Sequence, residues 1–272
     1  MNAAAPFKAA CLQVNASNDL AENVRVASDL TRRAVADGAD IVFMPENVAM
    51  MERGREYSIA KAMPHEDHAA LKAFQALAGE LKIWLHAGSL AVLLPNGKLA
   101  NRTYMLTPDG SIAAQYDKIH MFDVDLGTEK YAESATFDAG REVVTVDLPW
   151  GKLGLTICYD LRFPHLYRQL GQAGVDFLTI PSAFTQPTGE AHWHVLMRAR
   201  AIETGCYVFA PAQTGEHAGG RKTYGHALIV APWGEVLADA EIDVGVISAT
   251  IDPAQVKDAR AKIPAWKTNA AF

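Results

Sequence analysis

The chain is poor in several features that would assign it to a class at once. It has three cysteines, Cys11, Cys158 and Cys206. An odd number at such wide spacing builds no disulfide framework and points to a reducing cytoplasm. No apolar run approaches the ~20 residues of a membrane span, so no membrane association is expected. The opening Met1-Asn2-Ala3-Ala4-Ala5-Pro6 has no basic stretch leading into an apolar one, so no secretory signal is expected. Basic charge is not in excess: 25 Lys and Arg face 31 Asp and Glu, for a net charge of −6. That balance disfavours a nucleic-acid partner. H-E-x-x-H and C-x-x-C are absent, and His192-Trp193-His194 would point its two imidazoles apart on a helix. No metal is therefore expected. No G-x-G-x-x-G follows a strand, and there is neither a phosphate-binding G-x-x-x-x-G-K-[ST] nor a G-x-S-x-G elbow.

What is present is an ordinary globular mixture of 272 residues, 50% hydrophobic and 21% charged. No Ser/Gly linker or low-complexity stretch divides it, so residues 1–272 are read as one domain. Strand-like and helix-like segments alternate. Phe7 to Val14 reads as a buried strand, and Asn18 to Asp37 as an amphipathic helix stopped by Gly38. Ile41 to Met44 is a short apolar strand, and Glu66 to Lys82 is helical by its three-and-four spacing of Leu71, Phe74, Leu77 and Leu81. Ile83 to Leu94, Arg102 to Thr107 and Ser111 to Asp117 read as strands separated by Pro-Asn-Gly and Pro-Asp-Gly turns. The second half adds strands at Val143 to Leu148, Lys152 to Cys158, Phe177 to Pro181, Cys206 to Ala210, His226 to Ala231 and Val236 to Ile251. It also adds helices at Pro164 to Ala173 and Glu190 to Thr204. This blend of β-α-β units and hairpins predicts a layered α/β fold. Met50 to His65, Met121 to Gly140 and Thr214 to Tyr224 are candidate site loops.

Three reactive residues stand at strand ends. Cys158 closes Lys152-Leu-Gly-Leu-Thr-Ile-Cys158 and precedes a helix, where backbone N–H groups can stabilise a thiolate and later an oxyanion. Glu46 follows Ile41-Val-Phe-Met44, where a partly desolvated carboxylate can act as a base toward a thiol. Lys118 follows Ser111 to Asp117, where a buried ammonium would lower a thiol pKa and hold an oxyanion. Taken singly, each has an ordinary alternative: a buried small hydrophobe, a solvated loop carboxylate, a solvated lysine. Strand carboxyl ends can converge on one edge of an α/β fold, but spacing alone does not show that these three do.

The three motifs around them, Met44-Pro-Glu46-Asn, Tyr116-Asp-Lys118-Ile-His-Met-Phe-Asp123 and Ile157-Cys158-Tyr-Asp-Leu-Arg-Phe-Pro164, resemble the nitrilase superfamily of carbon–nitrogen hydrolases, in order along essentially the whole chain. The resemblance implies a four-layer α-β-β-α sandwich, assembled as a homodimer or larger homo-oligomer through helical faces. It implies a Cys158 nucleophile, a Glu46 proton carrier, and an oxyanion held by Lys118 and the Tyr159 N–H. It also implies a second glutamate, Glu133 of Tyr131-Ala-Glu133-Ser134, that positions the lysine. Glu129 lies nearby, but Glu133-Ser134 is the better match. No metal or organic cofactor is implied.

Pro181-Ser-Ala-Phe-Thr185, Thr188-Gly-Glu-Ala-His192-Trp193, Tyr224-Gly-His226 and Pro232-Trp-Gly234 are similar to the Nit-type amidase branch. There the expected substrate is a small carboxamide. Leu161-Arg162-Phe-Pro164 and Ala212-Gln-Thr-Gly-Glu-His217 favour deaminated glutathione, the 2-oxo analogue of glutathione, cleaved to 2-oxoglutarate and cysteinylglycine. The alternatives are 2-oxoglutaramate or an N-carbamoyl compound. The resemblance suggests that Arg162 clamps the 2-oxo acid carboxylate, with Thr188 hydrogen-bonding nearby. Asp160 reads as a structural hydrogen-bonding residue and Trp193 as packing, with His192 left open. One departure stands out: Asp123 to Glu133 lacks the Pro-Gly that the related pattern often carries, so a differently shaped loop is expected there. A non-catalytic protein with the same shell should have lost at least one of Glu46, Lys118 and Cys158, and all three are present.

Overall fold

A computed structural model of the chain describes residues 4–52, 54–127 and 130–268. Its centre is built from strands that are apolar on both faces, as strands covered on both sides must be. Along Phe7–Val14 and Ile41–Phe43 the side chains alternate with period two. Phe7, Ala9, Cys11, Ile41 and Phe43 enter one hydrophobic cluster; Ala10, Leu12, Val14 and Val42 enter another.

The two clusters define the layers. Six helices occur among the described residues: α1 (Leu20–Ala36), α2 (Arg55–Lys61), α3 (Ala69–Leu81), α4 (Pro164–Gln172), α5 (Gln186–Thr204) and α6 (Ala254–Lys262). One cluster joins the first sheet to α1, through Ala27, Leu30 and Ala34, and to α3, through Leu71, Phe74 and Leu77. The other joins it to a second sheet, through Leu153, Leu155, Phe177 and Phe209, and beyond that to Leu166 and Leu170 of α4 and Trp193 and Met197 of α5. Phe43 stacks on Phe209 across the sheets with ring centroids 4.4 Å apart, and Phe7 meets Phe177 edge-on at 5.5 Å. The result is the four-layer α-β-β-α sandwich.

In the larger sheet Phe7–Val14, Ile41–Phe43 and Trp84–His86 run parallel. Antiparallel strands extend it, with Leu99–Leu106 carrying both Leu90–Leu93 and Ile112–Asp117. Gly245–Ile251 pairs antiparallel with Phe7–Val14. The second sheet has a parallel core of Gly151–Leu155, Phe177–Thr179 and Tyr207–Ala210. A bridge between Ser182 and Ala212 links the two halves near the carboxyl ends of these strands.

Several boundaries differ from the sequence reading. The run Ile83 to Leu94 is two strands, broken where Gly88 adopts φ +59 and passes close to Pro45. The run Val236 to Ile251 is likewise two strands, with Glu241 in a left-handed turn between them. The strand before Cys158 ends at Leu155. Helix α5 begins at Gln186, because Pro187 sits in the first turn, where its missing N–H costs nothing. Met50 to His65 contains α2, and Met121 to Gly140 contains a small hairpin, Asp123–Asp125 with Lys130–Ala132. No helix among the described residues is long and apolar enough to cross a membrane.

Gly88 is the tightest of these features. A Cβ there would lie 2.1 Å from the Pro45 carbonyl oxygen, on backbone that cannot swing aside. Left-handed backbone alone costs a residue with a Cβ about 1–2 kcal/mol. Gly88→Ala is therefore expected to destabilise the protein by more than that, and to displace Glu46. Denaturant unfolding checks the first effect; an unchanged midpoint would contradict this packing.

Candidate active site

Glu46, Lys118 and Cys158 meet where the two sheets approach each other. Each arrives by a different backbone device. Glu46 lies just beyond Ile41–Phe43, on a turn that continues into left-handed Asn47 (φ 55). Its carbonyl accepts the Gln213 side-chain N–H at 3.0 Å. Lys118 follows Ile112–Asp117, whose register is clamped by Arg102 on Asp117 at 2.6 and 2.9 Å. Its backbone N–H donates to Asn101 O at 2.9 Å. Cys158 opens a 3-10 turn with φ 47, a strained conformation of the kind found at functional sites. The buried Asp160 carboxylate holds that turn, accepting from Tyr116 O–H at 2.7 Å, Ile157 N–H at 2.9 Å and His120 N–H at 3.0 Å.

The side chains form a buried charge cluster. The Lys118 ammonium, 2% exposed, donates to Glu46 Oε1 at 3.1 Å and to both oxygens of Glu133 at 3.0 and 2.9 Å. Glu46, 3% exposed, also accepts from Asn101 Nδ2 at 2.9 Å and, on Oε2, from the Ala183 N–H at 2.8 Å. Glu133 is fixed in turn by Phe122 N–H at 2.6 Å. Glu129 lies outside the described residues.

Burial pushes the Glu46 carboxyl up. The Lys118 charge, the Arg221 guanidinium and hydrogen bonds from Cys158 and Lys118 outweigh it and hold the group below its ordinary 4.5. Burial also acts against the Lys118 ammonium, but the charges of Glu133 and Glu46 raise its pKa. Cys158 differs from the sequence expectation that a neighbouring ammonium lowers the thiol pKa. Burial and then the Glu46 charge push the thiol up, and Lys118 only partly opposes them. The resting pattern is a neutral thiol beside an ionised carboxylate and an ammonium. A thiol in this state needs a neighbouring base to become a nucleophile, and an ionised carboxylate has the chemistry to serve as one. Cys158 is 8% exposed, whereas Cys11 and Cys206 are fully covered.

These residues line a cavity of about 440 Å³. Tyr159, Phe184, Thr188, Tyr131 and Arg221 also line it. The Thr188 hydroxyl lies 2.7 Å from that of Thr185. Arg162 is not among the lining residues; its guanidinium stacks behind Phe184, 5.1 Å from the ring centroid, with Nη1 3.2 Å from His192 Nδ1. His192 thus faces Arg162, while Trp193 is buried and donates to His226 O at 2.7 Å. Asn101, Gln213 and Arg221 were not singled out from sequence as site residues. Asn101 stands beside Arg102 and Thr103 in its strand, so polarity alone does not single it out.

The family profile described as carbon-nitrogen hydrolase matches residues 8–261. The chain belongs to the carbon–nitrogen hydrolase family. Among curated relatives, a deaminated glutathione amidase of Synechocystis sp. is 42% identical over 264 residues, covering 95% of this chain and 96% of the relative. The Homo sapiens deaminated glutathione amidase is 37% identical over 268 residues, covering 96% and 81%. Among solved structures, the Caenorhabditis elegans NitFhit protein superposes with a TM-score of 0.91 at 36% identity, covering 98% of this chain and 66% of that one. A Saccharomyces cerevisiae member of branch 10 of the nitrilase superfamily superposes with a TM-score of 0.87 at 28% identity, covering 97% of each chain.

For a carbon–nitrogen hydrolase, a carboxylate that is ionised at rest sets the acid limit of activity. The Glu46 carboxyl is held below its ordinary value, so the acid limb of kcat/KM is expected lower than that of an ordinary glutamate, with activity retained above it. Asn101→Leu removes a hydrogen bond to the charged form, a contribution of about 1.5–3 kcal/mol. It should move the limb upward by about one to two pH units. A pH–rate profile of the two proteins checks both statements, and coincident acid limbs would remove Asn101 from this role.

Proposed function

We propose that residues 1–272 act as one amidase domain that hydrolyses deaminated glutathione through a Cys158 thioester. The observation that carries this reading is the Cys158 thiol lining a cavity beside a buried Glu46–Lys118–Glu133 cluster. Glu46 takes the thiol proton as sulfur attacks the carboxamide carbon. The Lys118 ammonium and the Tyr159 backbone N–H hold the oxyanion, each such donor contributing about 3–4 kcal/mol. Glu46 then gives its proton to the leaving nitrogen, and the C–N bond breaks. A water that Glu46 deprotonates attacks the thioester and returns the thiol. Glu133 positions Lys118 by its paired hydrogen bonds.

The relatives named deaminated glutathione amidase support the choice of substrate. Thr188 lines the cavity and serves as a hydrogen-bonding group for the 2-oxo acid. Arg162 takes the 2-oxo acid carboxylate, and must leave His192 to reach past Phe184. Side-by-side assays test the assignment, with Cys158→Ala as the blank. Deaminated glutathione should exceed 2-oxoglutaramate by about tenfold or more in kcat/KM, about 1.4 kcal/mol of transition-state preference. Turnover of neither substrate would refute the substrate assignment, and turnover by Cys158→Ala would refute the mechanism.

The same reading makes the protein a cytoplasmic homo-oligomer. The free thiols Cys11, Cys158 and Cys206 suit a reducing compartment. Val195 and Ile202 lie two turns apart on α5 and are 68% and 53% exposed, and Trp233, next to Gly234 in sequence, is 59% exposed. Ile202 reaches Gly234 of the adjoining turn. An apolar patch on a helical face is suited to a second copy. The double variant Val195→Glu, Ile202→Glu is expected to lower the oligomeric state seen by light scattering; an unchanged mass would place the contact elsewhere.

A further inference from the structure

The cavity wall holds a cation whose hydrogen-bonding capacity is only partly used. Arg221 follows the turn Ala218–Gly220, between the strands Ala212–Glu216 and Lys222–Tyr224. Its Nη2 donates to the Ala183 carbonyl at 2.6 Å, and its guanidinium lies 5.5 Å from the Tyr131 ring centroid. Its Nε is buried without a hydrogen-bond partner. No carboxylate among the described residues pairs with Arg221. The other cavity cations differ. Lys118 has two carboxylates, and Arg55 and Lys130 are exposed. An unfilled guanidinium donor in a cavity wall is suited to an acceptor that arrives with a ligand.

Position suggests which part of the ligand that is. Lys118 meets Glu46 Oε1, on the side proposed to hold the oxyanion. Arg221 is linked instead to Oε2, through Ala183, which donates to Oε2 through its N–H and accepts from Arg221 through its carbonyl. Glu46 delivers its proton to the leaving nitrogen, and Lys118 already occupies the oxyanion side.

We propose that Arg221 forms an anion subsite for a carboxylate carried by the leaving amine. The inference rests on the amidase reading above. Cysteinylglycine carries such a carboxylate, whereas the ammonia released from 2-oxoglutaramate does not. Arg221 also acts on the Glu46 charge, so its loss has a part common to all substrates. Only the part that depends on the leaving group reports the subsite.

The test uses three amides of one acyl group: deaminated glutathione, its C-terminal carboxamide and 2-oxoglutaramate. The wild type should favour the acid over the carboxamide by about tenfold in kcat/KM. Arg221→Met should cut that preference to about twofold or less, and Arg221→Lys should restore part of it. A preference that survives in Arg221→Met overturns the subsite, as does an equal loss on all three amides. If the wild type cleaves none of them, the substrate reading has failed and binding decides the subsite. Cysteinylglycine should then slow alkylation of Cys158 by iodoacetamide more than its carboxamide does, in the wild type but not in Arg221→Met. Equal protection by the two ligands, or none, overturns the proposal.

Discussion

The Lys118 ammonium, buried between Glu46 and Glu133, is the constraint around which the site is organised. Taking one of these charges out of water costs several kcal/mol, which only close partners offset. Removing a partner from such a pair typically costs about 3–5 kcal/mol, because a charge is left behind uncompensated. The cluster is therefore held from all sides. Asn101 donates to both carboxylates, at 2.9 and 3.3 Å, and Phe122 and Ala183 supply backbone N–H groups. The same arrangement keeps Glu46 ionised and the Cys158 thiol protonated. Those are the starting states that the proposed proton transfer requires.

The sandwich exists, in this sense, to bring strand ends together. Glu46 comes from one sheet, Cys158 follows a strand of the other, and Lys118 follows a strand at the antiparallel side of the first. Stacked rings such as Phe43 on Phe209 tie the sheets face to face. The Ser182–Ala212 bridge then joins them beside Ala183, whose N–H reaches Glu46. Left-handed backbone recurs at this edge, at Asn47, Gly88 and Cys158. Two of them have a reason in the site: Gly88 lets the Glu46 loop approach, and Cys158 opens the turn that Asp160 secures.

The cavity wall divides into two chemical sides. Lys118 meets Oε1 of Glu46, and Arg221 is linked by way of Ala183 to Oε2. Arg162 is drawn away from the cavity by His192 and Phe184. A substrate with a carboxylate at each end would engage the two arginines differently. Arg162 would have to exchange a partner, whereas Arg221 has a donor already free of one.

The sequence by itself determined what short-range patterns can determine. A short apolar run marked Phe7–Val14 as a buried strand, and three-or-four spacing marked α1 and α3, because side-chain burial follows the backbone geometry. Three motifs at strand ends identified Glu46, Lys118 and Cys158 as candidates and, by resemblance, the family. Tertiary structure alone decided the rest. Glu46 and Lys118 are 72 positions apart, and no local pattern sets their 3.1 Å contact. Asn101, Gln213 and Arg221 carry no periodic signal, since each matters through partners distant in the chain. Arg162 shows the converse. Four positions after Cys158 it looked part of the same site, but the 3-10 turn between them directs it behind Phe184. The thiol pKa reversed for the same reason: burial and the charge nearest a group are properties of the folded chain, not of its neighbours in sequence.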